Sequence, residues 1–210
     1  MKPNKTLVLI LVGMAVGFTS QAGTVLPGDI PNNVSPTFTT ADTLLTLYGY
    51  SDSASTIPAN LTTGGSPAAW FGVEANGALD NADTMKLQFA PGVGLTGFGS
   101  IWTRAVITIT GFLSDPGLNV GSDPFVNSYG YNSGALTLDL AWDNGTEYDF
   151  SLSNPSASAG QSLTISLDYA TAPQWAITKL DYAPVPEPSV AALGLLGGLA
   201  ALGLTRRFRR

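Results

Sequence analysis

The 210-residue chain contains no cysteine and no histidine. The absence of cysteine excludes a disulfide framework and all thiol chemistry. The absence of histidine removes the commonest general base, the commonest metal ligand and every arrangement that pairs a serine or cysteine nucleophile with an imidazole. Both absences count against most hydrolytic sites and favour a protein that is not an enzyme.

Basic residues are scarce over most of the chain. Six of the nine lysines and arginines lie within the first five and the last five residues. Residues 23–184 contain only Lys86, Arg104 and Lys179 against fourteen Asp and Glu, so this body carries 3 − 14 = −11 charges. Phosphate backbones would repel such a surface, and we therefore expect no nucleic-acid partner.

The first 22 residues have the layout of a secretory signal peptide. Two lysines precede an apolar run over residues 6–18, and small residues stand at the −3 and −1 positions of a cleavage site between Ala22 and Gly23. A permanent membrane anchor is the alternative, but the apolar run is short for one. We expect an N-terminal signal helix over residues 1–22 and a mature chain that begins at Gly23.

The last 27 residues, 184–210, combine three features in a fixed order. A proline-interrupted acidic motif comes first, and it consists of Val185, Pro186, Glu187 and Pro188. An apolar run over residues 189–205 would span about 25 Å as a helix, which nearly crosses a bilayer. A cluster of positive charge ends the chain and consists of Arg206, Arg207, Arg209 and Arg210. These arginines should stay on the cytoplasmic side and stop the transmembrane helix there.

This tail resembles the PEP-CTERM sorting signal. The resemblance covers about the last 25 residues and implies recognition by an exosortase, a membrane-embedded cysteine transpeptidase-like enzyme that cuts near the Pro-Glu-Pro motif. It also implies a Gram-negative bacterium that makes extracellular polysaccharide. The membrane would hold the chain through the C-terminal helix until processing, and the body would lie outside the inner membrane.

The body, residues 23–183, has the pattern of an all-β protein. Apolar and polar residues alternate with period two in several short segments, which are broken by Gly, Asn, Asp and Pro. The segments are TLLTLYGY (43–50), TMKLQFA (84–90), RAVITITGF (104–112), ALTLDLAW (135–142), YDFSL (148–152), SLTISLDY (162–169) and WAITKLDY (175–182). We predict one antiparallel β-sandwich of jelly-roll type, with Trp102 and Trp142 in its core and no internal repeat. The stretch GVEANGALDNADTMKLQF (72–89) is loosely similar to sandwich domains of exported PEP-CTERM proteins.

The segment LTLDLAWDNGTEYDFSL (136–152) is predicted to form a hairpin. A three-residue loop over 143–145 makes the buried face continuous, because Leu140 then faces Tyr148. The same register sets Asp139 opposite Asp149, with Glu147 on the same side, and like charges at these positions destabilise a strand pair. Three interpretations stay open: a solvated outer face, a Ca²⁺ site, or two catalytic carboxylates for glycoside hydrolysis.

A candidate contact for sugars lies in SYGYNSG (128–134), which is predicted to form a glycine-bounded loop. Tyr129 and Tyr131 would present flat rings to the C–H faces of a glycan, with amides nearby for its hydroxyls. The expected function is that of an exported, exosortase-processed, non-catalytic protein of the envelope or extracellular matrix that binds glycans. The alternative is a glycan-active enzyme, a hydrolase or a lyase, on the same scaffold.

Overall fold

Two antiparallel sheets make up the body of the protein. The computed structural model describes residues 22–65, 69–73, 83–102, 105–120, 126–141, 147–154, 162–169 and 175–185. Within these ranges there are fourteen β-strands, one 3₁₀ turn over Pro27–Asp29 and no α-helix. The all-β prediction is therefore confirmed, and the pairing of every strand is antiparallel in the described part of the chain.

The first sheet, called sheet I, contains seven of these described strands. They are β1 (Gly23–Val25), β4 (Leu61–Gly64), β5 (Trp70–Val73), β7 (Val93–Trp102), β9 (Leu118–Asn119), β12 (Tyr148–Leu152) and β14 (Trp175–Pro184). The order across the sheet is β4-β5-β14-β7-β12-β9, and β1 also pairs with β14. The long strands β7 and β14 lie next to each other at its centre.

The second sheet, sheet II, contains the other seven. They are β2 (Thr37–Thr39), β3 (Leu45–Tyr50), β6 (Thr84–Phe89), β8 (Ala105–Thr110), β10 (Val126–Asn132), β11 (Ala135–Leu140) and β13 (Ser162–Tyr169). The order is β10-β11-β8-β13-β6-β3-β2. Strands that are far apart in the chain, such as β6 and β13, are therefore neighbours in the sheet.

One hydrophobic core contains residues from both sheets. Met85, Leu87 and Phe89 alternate along β6 and are at most 2% exposed, as their spacing predicts. From sheet I the core receives Phe98 and Phe150, whose ring centroids are 5.0 Å apart. An apolar face on each sheet, packed into one cluster, is the arrangement of a β-sandwich.

The predicted hairpin over residues 136–152 is wrong. β11 pairs with β8 and β10 in sheet II, whereas β12 pairs with β7 and β9 in sheet I. The alternation of apolar and polar residues determines which side of a strand faces the core. Because the inner faces of both sheets are apolar, this alternation could not decide whether β12 pairs with β11 or joins the other sheet. Residues 142–146, which include Trp142 and the predicted loop, lie outside the described residues.

The predicted loop over residues 128–134 is largely a strand. Residues 126–132 form β10 at the edge of sheet II, and a tight turn at Ser133 and Gly134 leads into β11. Both turn residues have positive φ, 49° and 89°, which is the backbone of a type I′ hairpin turn. The glycine in the middle of this segment, Gly130, does not interrupt the pairing.

Both predicted addressing segments fall largely outside the described residues, which begin at Ala22 and end at Val185. Gly23, at the predicted cleavage point, opens β1 and pairs with Tyr182. Residues 186–210, with most of the sorting motif, the apolar run and the arginines, are not described. Over the ranges that the structure does describe, no helix has the length and hydropathy needed to cross a membrane.

Candidate functional site: the outer face of sheet II

The outer face of sheet II carries hydroxyl groups in cross-strand rows. Strand register aligns three rows, and we call their side chains the hydroxyl face. The first row contains Thr39, Thr46, Gln88 and Ser162. The second row contains Thr37, Tyr48, Lys86, Thr164 and Thr110. The third row contains Tyr50, Thr84, Ser166, Thr108 and Thr137.

Regular strand geometry spaces these groups evenly. Neighbouring strands lie about 4.8 Å apart, and alternate residues along one strand lie about 6.7 Å apart. All positions in the three rows except Lys86 and Gln88 carry a hydroxyl, and all except Thr84 are exposed or half-buried. The face is therefore a two-dimensional array of hydroxyl groups that solvent can reach.

Some of these hydroxyls bond to each other across the strands. The Oγ1 atoms of Thr39 and Thr46 are 3.1 Å apart, and those of Thr108 and Thr137 are 3.2 Å apart. A hydroxyl offers one donor and two acceptor positions, so each pair keeps acceptor capacity for a further partner. The pairs hold side-chain rotamers in place, which lowers the entropy that a ligand would have to remove on binding.

Two tyrosine rings lie at one side of this array. Leu45 and Leu47 of β3 are fully buried, so the alternation directs Tyr48 and Tyr50 outward, where both are half-buried. Their Cα atoms are two residues apart on the same face of β3. These tyrosines are not among the glycan contacts predicted from the sequence, although the alternation in TLLTLYGY already indicates that they face outward.

The segment between β3 and β4 borders the face at Thr84. The Thr84 hydroxyl donates to the carbonyl of Asp52 at 3.0 Å and lies 2.8 Å from Ser55 Oγ. The Ile57 N–H and the Thr56 hydroxyl bond to the Asp52 carboxylate and hold its pKa below the usual value. This turn covers Thr84, which is fully buried, and marks one end of the hydroxyl face.

The three carboxylates predicted as a Ca²⁺ site are not brought together. Asp139 lies on β11 in sheet II, where its Oδ1 accepts a bond from Asn127 at 3.3 Å. Asp149 lies on β12 in sheet I, 3.0 Å from Lys179 Nζ. Glu147 immediately precedes β12. No group of three or more potential metal ligands occurs in the part of the chain that the structure describes. The predicted site depended on a hairpin that would bring these carboxylates together, and the structure does not contain that hairpin.

The tyrosines predicted as glycan contacts lie on the other side of sheet II. Tyr129 and Tyr131 pair with Leu138 and Leu136, whose side chains point into the core. Tyr131 packs against the core, whereas Tyr129 is 53% exposed because it lies on the edge strand. The prediction of an exposed ring holds for Tyr129, but neither residue belongs to the hydroxyl face.

One residue of the predicted sorting motif is described. Val185 follows β14 directly, and its N–H donates to the carbonyl of Gly92 at 2.8 Å. Pro186, Glu187, Pro188 and the four arginines lie outside the described residues.

Comparison with known proteins adds nothing to this geometry. No protein-family model matches the chain, and no curated protein and no solved structure matches it either.

Proposed function

We propose that this chain is an exported, non-catalytic protein of the cell envelope or extracellular matrix, and that it binds glycans through the hydroxyl face. The regular, nearly uncharged array of hydroxyls on sheet II is the observation that carries the proposal. Each hydroxyl can both donate and accept, as the hydroxyls of a sugar do, and the rings of Tyr48 and Tyr50 offer apolar surface for its C–H groups.

The charge distribution favours a neutral glycan. Lys86 is the only charged side chain in the three rows, whose residues are all described. The body around it carries the net charge of −11 derived above from its three basic and fourteen acidic residues. A polyanionic polysaccharide would meet repulsion from this body, particularly at low ionic strength.

We further propose that the sandwich has jelly-roll connectivity. Eight strands support this assignment: β5, β6, β7, β8, β11, β12, β13 and β14. The first four pair with the last four in reverse order, as β5·β14, β6·β13, β7·β12 and β8·β11. A long double-stranded hairpin wrapped into two sheets would pair its strands in this reverse order, and the order therefore supports a jelly roll.

The proposals of export and of exosortase processing depend on the sequences of the two termini. The signal-like residues 1–22 would direct the chain across the inner membrane, and the tail from Val185 would make it a substrate of an exosortase. Replacing Pro186, Glu187 and Pro188 by alanine should leave the chain uncut and attached to the membrane in a host that carries the exosortase. A tail that is still processed after this change would contradict the proposal.

The glycan proposal is tested with polysaccharides and the full-length chain in detergent. We expect the chain to sediment with a neutral insoluble polysaccharide from a panel of cellulose, chitin and curdlan, and less with alginate gel. The variant Thr108→Val/Thr137→Val removes two hydroxyls of the third row, and removing both partners of a bond is nearly neutral for stability. It should bind several-fold more weakly, since each hydrogen bond contributes about 1 kcal/mol.

The control is Thr63→Val, which makes the same chemical change at a half-buried position on β4 of sheet I. Its binding should equal that of the wild type. Equal loss in both variants, or no binding to any polysaccharide, would contradict the role of the hydroxyl face. Release of soluble sugars from any of the polymers would contradict a non-catalytic function.

A further inference from the structure

One edge strand of the sandwich is much longer than the others. Five described strands pair on one side only, and they are β1, β2, β4, β9 and β10. The first four have between two and four residues, whereas β10 has seven. A short edge strand offers few free backbone groups to another chain. Among the described edges, β10 therefore offers the longest row of groups to which a further strand could bind.

The strand β10 also lacks the usual protection of an edge. Its sequence, VNSYGYN, contains no charged residue and no proline, and residues 127–130 are all exposed. The register shifts once, between Val126 and Ser128, and is regular from Ser128 to Asn132. Natural edge strands are normally protected from pairing with other chains by charges, prolines or bulges along their length. The regular five-residue part of β10 has none of these.

The hairpin turn determines which backbone groups of β10 are free. Asn132 and its partner on β11 flank the two-residue turn, so this pair exchanges hydrogen bonds. Pairs with and without hydrogen bonds alternate along an antiparallel ladder, so Gly130 also bonds to β11. Tyr129 and Tyr131 occupy the alternate positions. Their N–H and C=O groups therefore point away from β11, towards the open edge.

The regular part of β10 is complementary to itself. Gly130 is its midpoint, and an antiparallel pairing of two copies about this residue sets Tyr129 of each copy opposite Tyr131 of the other. The free backbone groups of these tyrosines then meet in four hydrogen bonds. The two copies of Gly130 form the central pair without hydrogen bonds, with Cα atoms about 4.5 Å apart. No side chain stands between the two backbones there.

The same pairing would cover an exposed aromatic ring. Tyr129 and Tyr131 lie on the inner side of sheet II, because their partners Leu138 and Leu136 are buried. Tyr131 packs against the core, whereas Tyr129 is 53% exposed. In the pairing about Gly130, each Tyr129 lies beside Tyr131 of the other copy. Cross-strand aromatic pairs of this kind stabilise a sheet, so the apolar layer would continue from one copy into the next.

We propose that β10 is the interface of a homodimer, in which two copies of sheet II join into one continuous antiparallel sheet. The contact is isologous, so each copy uses the same edge and the assembly closes at two chains. A second copy is the partner that the strand fits, because it places a tyrosine opposite each tyrosine and its own free groups opposite theirs. The other described edges are too short to extend the assembly into a fibre.

The charge of the body modulates this contact but does not prevent it. Asp139 is the carboxylate beside β10, where it accepts a bond from Asn127. In the dimer its two copies would lie about 20 Å apart, well beyond the screening length of about 8 Å at physiological ionic strength. The net charge of −11 on each body, from its three basic and fourteen acidic residues, still causes repulsion at low ionic strength. Association should therefore strengthen as salt is added.

The dimer would present two hydroxyl faces in the same direction. A twofold axis that relates antiparallel strands of one sheet is perpendicular to that sheet, so both outer faces of sheet II lie on the same side. Two sites that engage one polymer bind it more tightly than either site alone. This gain rests on the proposed glycan binding, whereas the pairing of β10 does not depend on it.

The absence of cysteine allows a direct test of the pairing. A single introduced cysteine can form a disulfide only with the same residue of another copy. In Gly130→Cys the two Cα atoms would be about 4.5 Å apart, which a disulfide can span. A Cβ atom at Gly130 meets nothing within 4 Å, so the fold should be kept. We expect the full-length chain, in an excess of detergent micelles, to form a linked dimer on non-reducing gels after mild oxidation with copper phenanthroline.

Ser128→Cys is the matched control for this variant. Ser128 is exposed on the same strand and the same face as Gly130. In the proposed register its two copies would lie about 14 Å apart, which is too far for a disulfide. Random collision, or association through the apolar tail, would link both variants equally. The proposed pairing predicts that Gly130→Cys is linked several-fold faster than Ser128→Cys.

Two further substitutions in the Gly130→Cys chain test the contact itself. Tyr129→Glu places a carboxylate opposite Tyr131 of the other copy and should lower the yield of linked dimer several-fold. Val34→Glu introduces the same charge at a side chain that is 73% exposed and precedes β2, at the opposite edge of sheet II, and it should leave the yield unchanged. The yield from Gly130→Cys alone should rise when NaCl is increased from a low concentration to about 300 mM.

Three results would overturn the homodimer. They are the absence of a linked dimer in Gly130→Cys, equal linking in Ser128→Cys, and an unchanged yield after Tyr129→Glu in a chain that keeps its far-ultraviolet circular dichroism spectrum. None of these measurements uses a polysaccharide. If the link fails while polysaccharide still binds, the homodimer is wrong and the proposed function stands. If the link forms but no polysaccharide binds, the glycan proposal is wrong and the homodimer stands.

Discussion

The phenol of Tyr182 donates a hydrogen bond to Asp42 Oδ2 at 2.9 Å and so connects the two sheets. Tyr182 belongs to β14 at the centre of sheet I, whereas Asp42 lies in the turn between β2 and β3 at the edge of sheet II. The other carboxylate oxygen accepts bonds from the Thr40 hydroxyl at 2.5 Å and the Leu44 N–H at 3.0 Å. One carboxylate therefore fixes the turn and joins it to the last strand of the body.

Removing the phenol should destabilise the sandwich. Tyr182 is 3% exposed, and Tyr182→Phe leaves its ring in place while depriving Asp42 of a donor. A hydrogen bond to a charged group contributes about 1.5–3 kcal/mol, so we expect the free energy of unfolding to fall by roughly 2 kcal/mol in urea titrations. Tyr129→Phe is the control, because that ring is 53% exposed and the change should cost almost nothing. Equal effects from the two variants would show that the bond to Asp42 does not stabilise the fold.

The same carboxylate should make stability sensitive to acid. Burial alone would raise the pKa of Asp42, but hydrogen bonds from Thr40, Leu44 and Tyr182 outweigh it and hold the pKa below the usual 3.8. Because the pKa is lower in the folded chain than in the unfolded one, this contribution is present above about pH 4. It is lost as the pH falls through the folded pKa.

Urea midpoints measured between pH 7 and pH 2 test this effect. Asp42→Asn should be less stable than the wild type at pH 7, and the difference should shrink below pH 4. The variant keeps a residual acid dependence, since the exposed carboxylate of Asp52 also has a lowered pKa. A constant difference between the two proteins over the whole range would contradict the assignment to Asp42.

Several strands could be predicted from the sequence because their alternation is strict. β6, β11 and β13 each bury every second residue, and their inward positions were identified correctly. β7 was not predicted, although it lies at the centre of sheet I, because glycines at 94, 97 and 99 interrupt the alternation of apolar and polar residues along it. The ion pair between Asp149 and Lys179 could not be foreseen for a related reason. Asp149 and Lys179 are thirty residues apart and meet only because β7 lies between their strands.

The turn between β10 and β11 should depend on Gly134. Its φ of 89° is strained for any residue with a side chain, and a Cβ atom there would lie 3.0 Å from the carbonyl of Phe112. We expect Gly134→Ala to lower the free energy of unfolding by more than about 1 kcal/mol. Gly130→Ala on the same hairpin is the control, since a Cβ at Gly130 meets nothing within 4 Å. A larger loss at Gly130 than at Gly134 would rule out this account of the turn.

The ion pair between Lys179 and Asp149 should contribute little to stability at neutral pH, but its loss should lower stability at alkaline pH. Asp149 is 62% exposed, so solvent screens its interaction with Lys179, and Lys179→Met should change the free energy of unfolding by less than about 1 kcal/mol at pH 7. The hydrogen bond to Asp149 raises the pKa of Lys179 above 10.5. The contribution of Lys179 is therefore complete below about pH 10 and is lost as the pH rises through the folded pKa.

Thermal melts between pH 7 and pH 12, in low and high salt, separate this contribution from that of Tyr182. Burial raises the pKa of Tyr182 as well, so the wild type loses stability over the same alkaline range from two groups. Lys179→Met should remove one part of this loss together with its salt dependence, and Tyr182→Phe should remove the other. If Lys179→Met keeps the full alkaline loss and its sensitivity to salt, the ammonium of Lys179 is not held by Asp149 and Asp181.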